Sequence, residues 1–234
     1  MNPWVLLDTA KIPGDGGELR LKKRGDEFSI MLGSNELMNS RLSGSEEALA
    51  RLACRRLRDR KRAQILIGGL GMGFTLRAAL AELGPDAQVT VAELVPAVVA
   101  WARGPMAEVF GDSLADPRVS IFEGDVGGLI RSIRSAYDAI LLDVDNGPEG
   151  LTRKANDSLY DLSGLGSAWT ALTPGGIFAV WSSAPNKAFT QRLRKAGFGV
   201  DEVSARANGT RGGARHTIWI ATKPGGSPAS QAQR

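Results

Sequence analysis

The sequence predicts an α/β fold: a doubly wound, mostly parallel sheet with an antiparallel pair of strands at one edge, preceded by a small N-terminal β-hairpin region. Three observations predict it. Apolar runs alternate with helical patterns through the middle of the chain, as expected for a parallel sheet covered by helices on both faces. The last two strand-like runs, GVDEVSAR and RHTIWIAT, are joined by the glycine-rich ANGTRGGA with no helix between them, so they pair antiparallel. Residues 1–45 instead carry short alternating runs such as ELRLKKRG and EFSIMLGS, separated by glycine-containing turns.

A helix is expected from Ser45, which can cap it, with Glu46 and Glu47 at its positive end and Leu49, Leu52, Ala53 and Leu57 at helical spacing. Arg55, Arg56, Arg58, Arg60, Lys61 and Arg62 suit its negative end. No aromatic residues interleave with them, so they read as a solvated helix terminus and not as a nucleic-acid patch. AQILIGG then pairs with FTLRAALAEL, QVTVAEL with PAVVAWARGP, RVSIFEGD with GGLIRSIRSA, and YDAILLDV with a helix within 157–172. GIFAVWSS leads to NKAFTQRLRKAG. The α/β domain is expected over 46–224, and the tail 225–234, with no apolar residue beyond alanine, is expected to be disordered.

At 234 residues one large core suffices, and no apolar run approaches the ~18 residues of a membrane span. The N-terminus lacks a basic segment followed by a long apolar one, and Cys54 is the lone cysteine, so a reducing cytoplasm is the expected location. One cysteine and one histidine, His216, cannot build a thiolate or multi-histidine metal centre. His216 is read as structural. Trp101, Trp169, Trp181 and Trp219 lie in apolar patterns and are read as core. The net charge of +4 permits acidic partners without demanding them.

The candidate site begins at Gly69-Leu70-Gly71-Met72-Gly73, where a strand turns into a helix and glycines let the backbone approach a ligand closely. Glu93 closes the next strand, twenty residues after Gly73, where a carboxylate can accept from both ribose hydroxyls. Asp125 ends SIFEGD, where it can accept from an adenine amine, and Asp143 ends DAILLD. Three acids at successive strand ends, facing one crevice with the glycine turn, point to a nucleoside ligand.

These residues resemble the Rossmann-like class I S-adenosylmethionine-dependent methyltransferase fold, and within it the spermidine synthase-like branch. The resemblance runs from about Leu32 to Lys223 and is carried by ILIGGLGMG, VAEL, DPRVSIFEGD, YDAILLDVDNGP and LTPGGIFAV. It implies that Gly69, Gly71 and Gly73 line the cofactor, that Glu93 with Leu94 holds the ribose, and that Asp125 with Val126 faces the adenine. It also implies that Asp143 occupies the amine-activating position. Asp143 and Asp145 are the candidate catalytic acids, and Asp143 also borders the cofactor. Asp145 could equally cap the DNGP turn. Tyr160 matches a family tyrosine and is read as packing a helix on the sheet.

The sequence departs from the branch at its amine-binding positions. Gly71 stands where the family's glycine turn carries an Asp facing the aminopropyl amine, and the family's D-x-x-D loop becomes Asp143-Val144-Asp145-Asn146. RLSGSEEALAR keeps Glu46 and Glu47 but puts Ala50 and Arg51 where Tyr and His are implied. An arginine beside a polyamine pocket would repel a dication. The expectation is therefore methyl transfer from S-adenosylmethionine to a small nucleophilic acceptor. The alternatives are aminopropyl transfer from decarboxylated S-adenosylmethionine and a non-catalytic nucleoside-binding protein. No metal, nucleic acid or membrane partner is expected; relatives in the branch make a homodimer conceivable.

Overall fold

The computed structural model describes residues 2–14, 16–144, 147–148 and 158–225. Strands β5 (Gln64–Gly68), β6 (Gln88–Glu93), β7 (Val119–Glu123), β8 (Tyr137–Leu142), β9 (Leu172–Ser182), β10 (Gly199–Arg206) and β11 (Arg215–Thr222) form one sheet of order β10-β11-β9-β8-β5-β6-β7. Strands β5 to β9 are mutually parallel. β11 runs antiparallel between β9 and β10, as the helix-free connection implied. The chain steps from β5 to β6 and β7 on one side, then returns to place β8 on the other side of β5. The crevice at that reversal is where open α/β sheets place their ligands.

All six residues of β8 are buried, which explains its unbroken apolar run. Alternate side chains serve the two faces: Ile65, Ile67, Ala139 and Leu141 join one core cluster, whereas Leu66, Ile140 and Leu142 join the other. Helices α1 (Gly44–Cys54), α2 (Phe74–Glu82), α3 (Pro96–Arg103), α4 (Ala107–Phe110), α5 (Val126–Ser132), α6 (Leu162–Ala171) and α7 (Lys187–Lys195) complete the layers. Asp161 caps α6 and Asn186 caps α7 through side-chain bonds to backbone N–H groups. Tyr160 is buried with its ring edge-on to Phe189. Trp101 and Trp219 are core residues.

Three expectations change. The N-terminal region is a four-stranded antiparallel sheet, β1 (Val5–Lys11), β2 (Glu18–Arg24), β3 (Glu27–Leu32) and β4 (Asn35–Asn39), rather than a small hairpin. The outer strands escape pattern reading because β1 is exposed on both faces and β4 (NELMN) is largely polar. Leu19, Leu21, Phe28 and Ile30 join the main core, and the Trp101 indole N–H donates to Asp8 at 2.7 Å, fastening the sheet to α3. Secondly, Ser45 does not cap α1; Ser43 holds that position without a side-chain bond, and Ser45 is fully buried. Thirdly, the helix stops at Cys54, ahead of the basic run, whose residues are solvated as expected except for half-buried Arg60 and of which four are also ion-paired. Arg55 and Arg58 bind Glu82 at 3.0 and 3.2 Å, Arg56 binds Asp201 at 2.8 Å, and Arg60 binds Asp138 at 2.5 Å and Thr173 at 2.8 Å.

The DPR segment ahead of β7 is structural. Asp116 grips Arg118 at 2.8 Å, holding the Asp116 carboxyl down at about 2, and Arg118 donates to the carbonyls of Leu80, Leu83 and Gly84 at the end of α2. It thereby satisfies carbonyls that a helix terminus leaves without intrahelical partners.

Candidate functional site

The turn between β5 and α2 needs glycine for two different reasons. At Gly69 (φ +92°) a Cβ would lie 2.4 Å from the Asp143 carbonyl oxygen, and at Gly73 (φ +74°) it would lie 2.4 Å from the Phe110 ring. These two let the turn pack against its neighbours. Gly71 (φ +51°) faces the cleft, where a Cβ would press on the Met38 side chain, 3.0 Å from its sulfur. It lines two adjoining cavities.

The larger cavity, with about 780 Å³ of empty space, is bordered by Gly69, Gly71, Glu93, Leu94, Asp125 and Val126 among others, and Asp143 lies where it meets the second. Glu93 is 8% exposed, and one carboxylate oxygen accepts from the Leu70 N–H while the other accepts from the Val95 N–H, both at 2.9 Å. Burial raises its pKa and the backbone donors oppose that rise. Glu93 thus ties the glycine turn to β6 while bordering the cavity, where a carboxylate can accept from a ligand. Asp125 caps α5, accepting from Gly127 N–H at 3.0 Å and Gly128 N–H at 2.8 Å, and it also meets Arg131 at 3.2 Å. Its primary visible work is thus the helix cap, at the cavity's rim.

The smaller cavity, about 630 Å³ counting space open to solvent, is lined by Asn39, Glu46, Leu70, Met72, Phe74 and Trp181 together with residues shared with the first, Asp143 among them. The Thr75 hydroxyl donates to Asp143 at 2.6 Å. Burial, followed by the charge of Glu46, pushes the Asp143 carboxyl up to about 7. Burial likewise raises the Glu46 pKa, with Glu47 adding to the rise and the Ser45 hydroxyl opposing it. The Trp181 Nε1–H finds no acceptor among the described residues.

The strand ends therefore bring Gly69, Gly71, Glu93, Leu94, Asp125, Val126 and Asp143 around one crevice, whereas Gly73, expected to line the cofactor, borders neither cavity and packs on Phe110. Asp145, with Asn146, lies outside the described residues. The following Gly147 (φ +90°) packs so closely on Ser182 that a Cβ would sit 2.5 Å from its side chain. Glu46 and Trp181 were not among the candidate site residues. The acidic pair at the start of α1 was the available signal for Glu46, whereas Trp181 is indistinguishable from core because it is 9% exposed and lies in an apolar strand. The expected repulsion from Arg51 is corrected: it is ion-paired to Glu47 at 3.0 Å and lines neither cavity.

No family model matches the chain. It is similar to the polyamine aminopropyltransferase of Mycobacterium tuberculosis, 28% identical over 194 residues that cover 78% of this chain and 35% of the relative. It also resembles polyamine aminopropyltransferase 1 of Streptomyces coelicolor, 32% identical over 126 residues covering 53% of this chain and 23% of the relative. The polyamine aminopropyltransferase of Korarchaeum cryptofilum is 36% identical over 135 residues, covering 57% and 40%. The chain spans less than half the length of these curated relatives. Among solved structures, spermidine synthase from Thermotoga maritima superposes with a TM-score of 0.72 at 17% identity, covering 93% of this chain and 72% of that one. A spermidine synthase in complex with the transition-state analogue AdoDATO gives 0.71 at 17% identity, with the same two coverages of 93% and 72%. The chain thus has the spermidine synthase fold, complete with a separate antiparallel N-terminal sheet.

Proposed function

We propose that this chain is a transferase that takes an aminopropyl group from decarboxylated S-adenosylmethionine, bound in the larger cavity, and delivers it to an amine in the smaller one. This replaces methyl transfer as the preferred reading. The observation that carries it is the Glu46 and Asp143 pair in the smaller cavity, directly beyond Gly71. Two part-buried carboxyls lining one cavity, with the Glu46 charge raising the Asp143 pKa, favour a cation between them, and a methyl acceptor has no general need for such a pair. The likeness to polyamine aminopropyltransferases points the same way. Gly71 leaves the glycine turn without an acid, whereas Glu46 keeps one in the smaller cavity.

Under this reading Glu93 accepts from the ribose hydroxyls, and the apolar side chains of Leu94 and Val126 flank the base. The sulfonium of the nucleoside substrate supplies the leaving group. The acceptor nitrogen, held neutral beside Asp143, attacks the terminal carbon of the aminopropyl chain. A C–N bond forms, the C–S bond breaks, and its electron pair stays on sulfur as methylthioadenosine leaves. The proton lost by nitrogen passes to the carboxylate pair. A carboxyl titrating near 7 suits that role, since it is substantially ionised at neutral pH yet basic enough to accept. Incubation with decarboxylated S-adenosylmethionine and a panel of mono-, di- and triamines should release methylthioadenosine, with Asp143→Asn reducing turnover by roughly 10² to 10⁴. Release of S-adenosylhomocysteine from S-adenosylmethionine, with no aminopropyl product, would return the assignment to methyl transfer.

A further inference from the structure

A proton accepted by a buried carboxylate must leave before the next turnover, and the fold provides a route away from the cavity. Ser45 is fully buried on α1, and its hydroxyl donates to Glu46 at 2.7 Å. The same oxygen lies 2.8 Å from Nδ1 of His216, at the start of β11. A serine hydroxyl has one hydrogen; once it is committed to ionised Glu46, the contact with His216 forms only if Nδ1 carries the proton and donates to the serine oxygen. The His216 ring is half-buried and held edge-on against Trp181, with centroids 4.7 Å apart and planes at 69°. Trp181 and Glu46 both line the acceptor cavity, so the three-residue chain begins there and ends at a ring that retains exposed surface.

We infer that Glu46, Ser45 and His216 form a proton relay that carries the proton released in transfer from the acceptor cavity to solvent. This rests on the proposed aminopropyl-transfer reading. The step balances: when Glu46 takes up the transferred proton, the ring exchanges through solvent to its Nε2–H tautomer and the Ser45 hydroxyl turns to Nδ1; protonated Glu46 then gives its hydrogen to the Ser45 oxygen, Ser45 gives its own hydrogen to Nδ1, and the ring releases the Nε2 hydrogen to water. One proton enters and one leaves, and each residue exchanges a covalent hydrogen for a hydrogen-bonded one. The ring is thereby left in its starting Nδ1–H tautomer, and the Ser45 hydroxyl turns back to ionised Glu46. Burial lowers the His216 pKa, so the ring passes a proton on rather than storing it. His216 and Ser45 touch neither cavity and are positioning residues for proton exit.

His216 is the sole histidine in the sequence, so its ring nitrogens give one unambiguous set of NMR resonances. At pH 8 the wild-type ring should be the Nδ1–H tautomer, and Ser45→Ala should convert it to Nε2–H. In the transfer assay, Ser45→Ala and His216→Gln should each lower kcat by about tenfold or more at unchanged nucleoside affinity, and added imidazole buffer should restore rate. Rate loss without buffer rescue would indicate a packing role and overturn the relay, as would wild-type rates in both variants. An Nε2–H ring in the wild type that ignores Ser45→Ala would do the same. If the wild-type protein transfers to no amine, the proposed function fails by itself, and the tautomer experiment still decides whether the three residues are coupled as described.

Discussion

Replacing Asp143 by Asn should move stability and catalysis in opposite directions. The Asp143 carboxyl is pushed from the ordinary aspartate value of 3.8 up to about 7, by burial and by the Glu46 charge. A folded-state pKa above the unfolded one means that the folded chain binds the proton more tightly. The group therefore supports folding fully below about pH 4, and that support is lost as pH rises through about 7. Roughly three pH units at 1.36 kcal/mol each bound the loss at about 4 kcal/mol. Access of water from the cleft and the Thr75 hydrogen bond reduce it, so about 2 kcal/mol is expected at pH 8. Asparagine keeps the shape and carries no charge. For a chain of this size the gain corresponds to roughly 4–8 °C in Tm. Thermal unfolding of wild type and Asp143→Asn at pH 8 and at pH 5 should show the variant more stable at pH 8 and the gap narrowing at pH 5. A variant less stable than wild type at pH 8, or a gain that does not change with pH, would refute the buried-charge reasoning.

Glu93→Ala should weaken nucleoside binding by about 2 kcal/mol or more, measured by calorimetry. It should also lower Tm, because the Leu70 and Val95 N–H groups lose their shared acceptor; affinity within twofold of wild type would remove Glu93 from the site. Gly71→Asp should not tighten binding of the carboxylated nucleoside. Its positive φ and the Met38 sulfur 3.0 Å from the new Cβ make the substitution strained, so a Tm measurement should accompany the titration. Arg118→Ala should cost about 1–3 kcal/mol in denaturant unfolding, since three carbonyls around the end of α2 lose one donor, while nucleoside affinity stays unchanged.

The parallel sheet was legible because β8, most of β5 and the second half of β9 are buried on both faces and so read as apolar runs. Glycine and acid positions at their ends then followed from the geometry of open sheets. The N-terminal sheet was half legible: β2 and β3 pack one face on the core and alternate, whereas exposed β1 and polar β4 carry no period. The nucleoside half of the site could be read from strand ends. The acceptor half could not, because it assembles Glu46 from the first turn of α1, Trp181 from β9 and Met38 from β4, which only tertiary packing brings together. Reading Arg51 as a repulsive charge failed for a related reason: its i,i+4 spacing to Glu47 was legible, but which face of α1 meets the cavity was not. Ser45 and His216, 171 positions apart, form a contact that no spacing rule could supply.

Calorimetry comparing S-adenosylmethionine with its decarboxylated form tests the assignment of the two cavities most directly. A carboxylate brought within ~5 Å of the Glu46 or Asp143 charge costs about 3 kcal/mol at an effective dielectric near 20, or on the order of a hundredfold in affinity. The decarboxylated nucleoside should therefore bind on the order of a hundredfold more tightly at pH 8, and Glu46→Gln should shrink that preference. Tighter binding of the carboxylated form, unaffected by Glu46→Gln, would contradict the placement of the acid pair beside the transferred group.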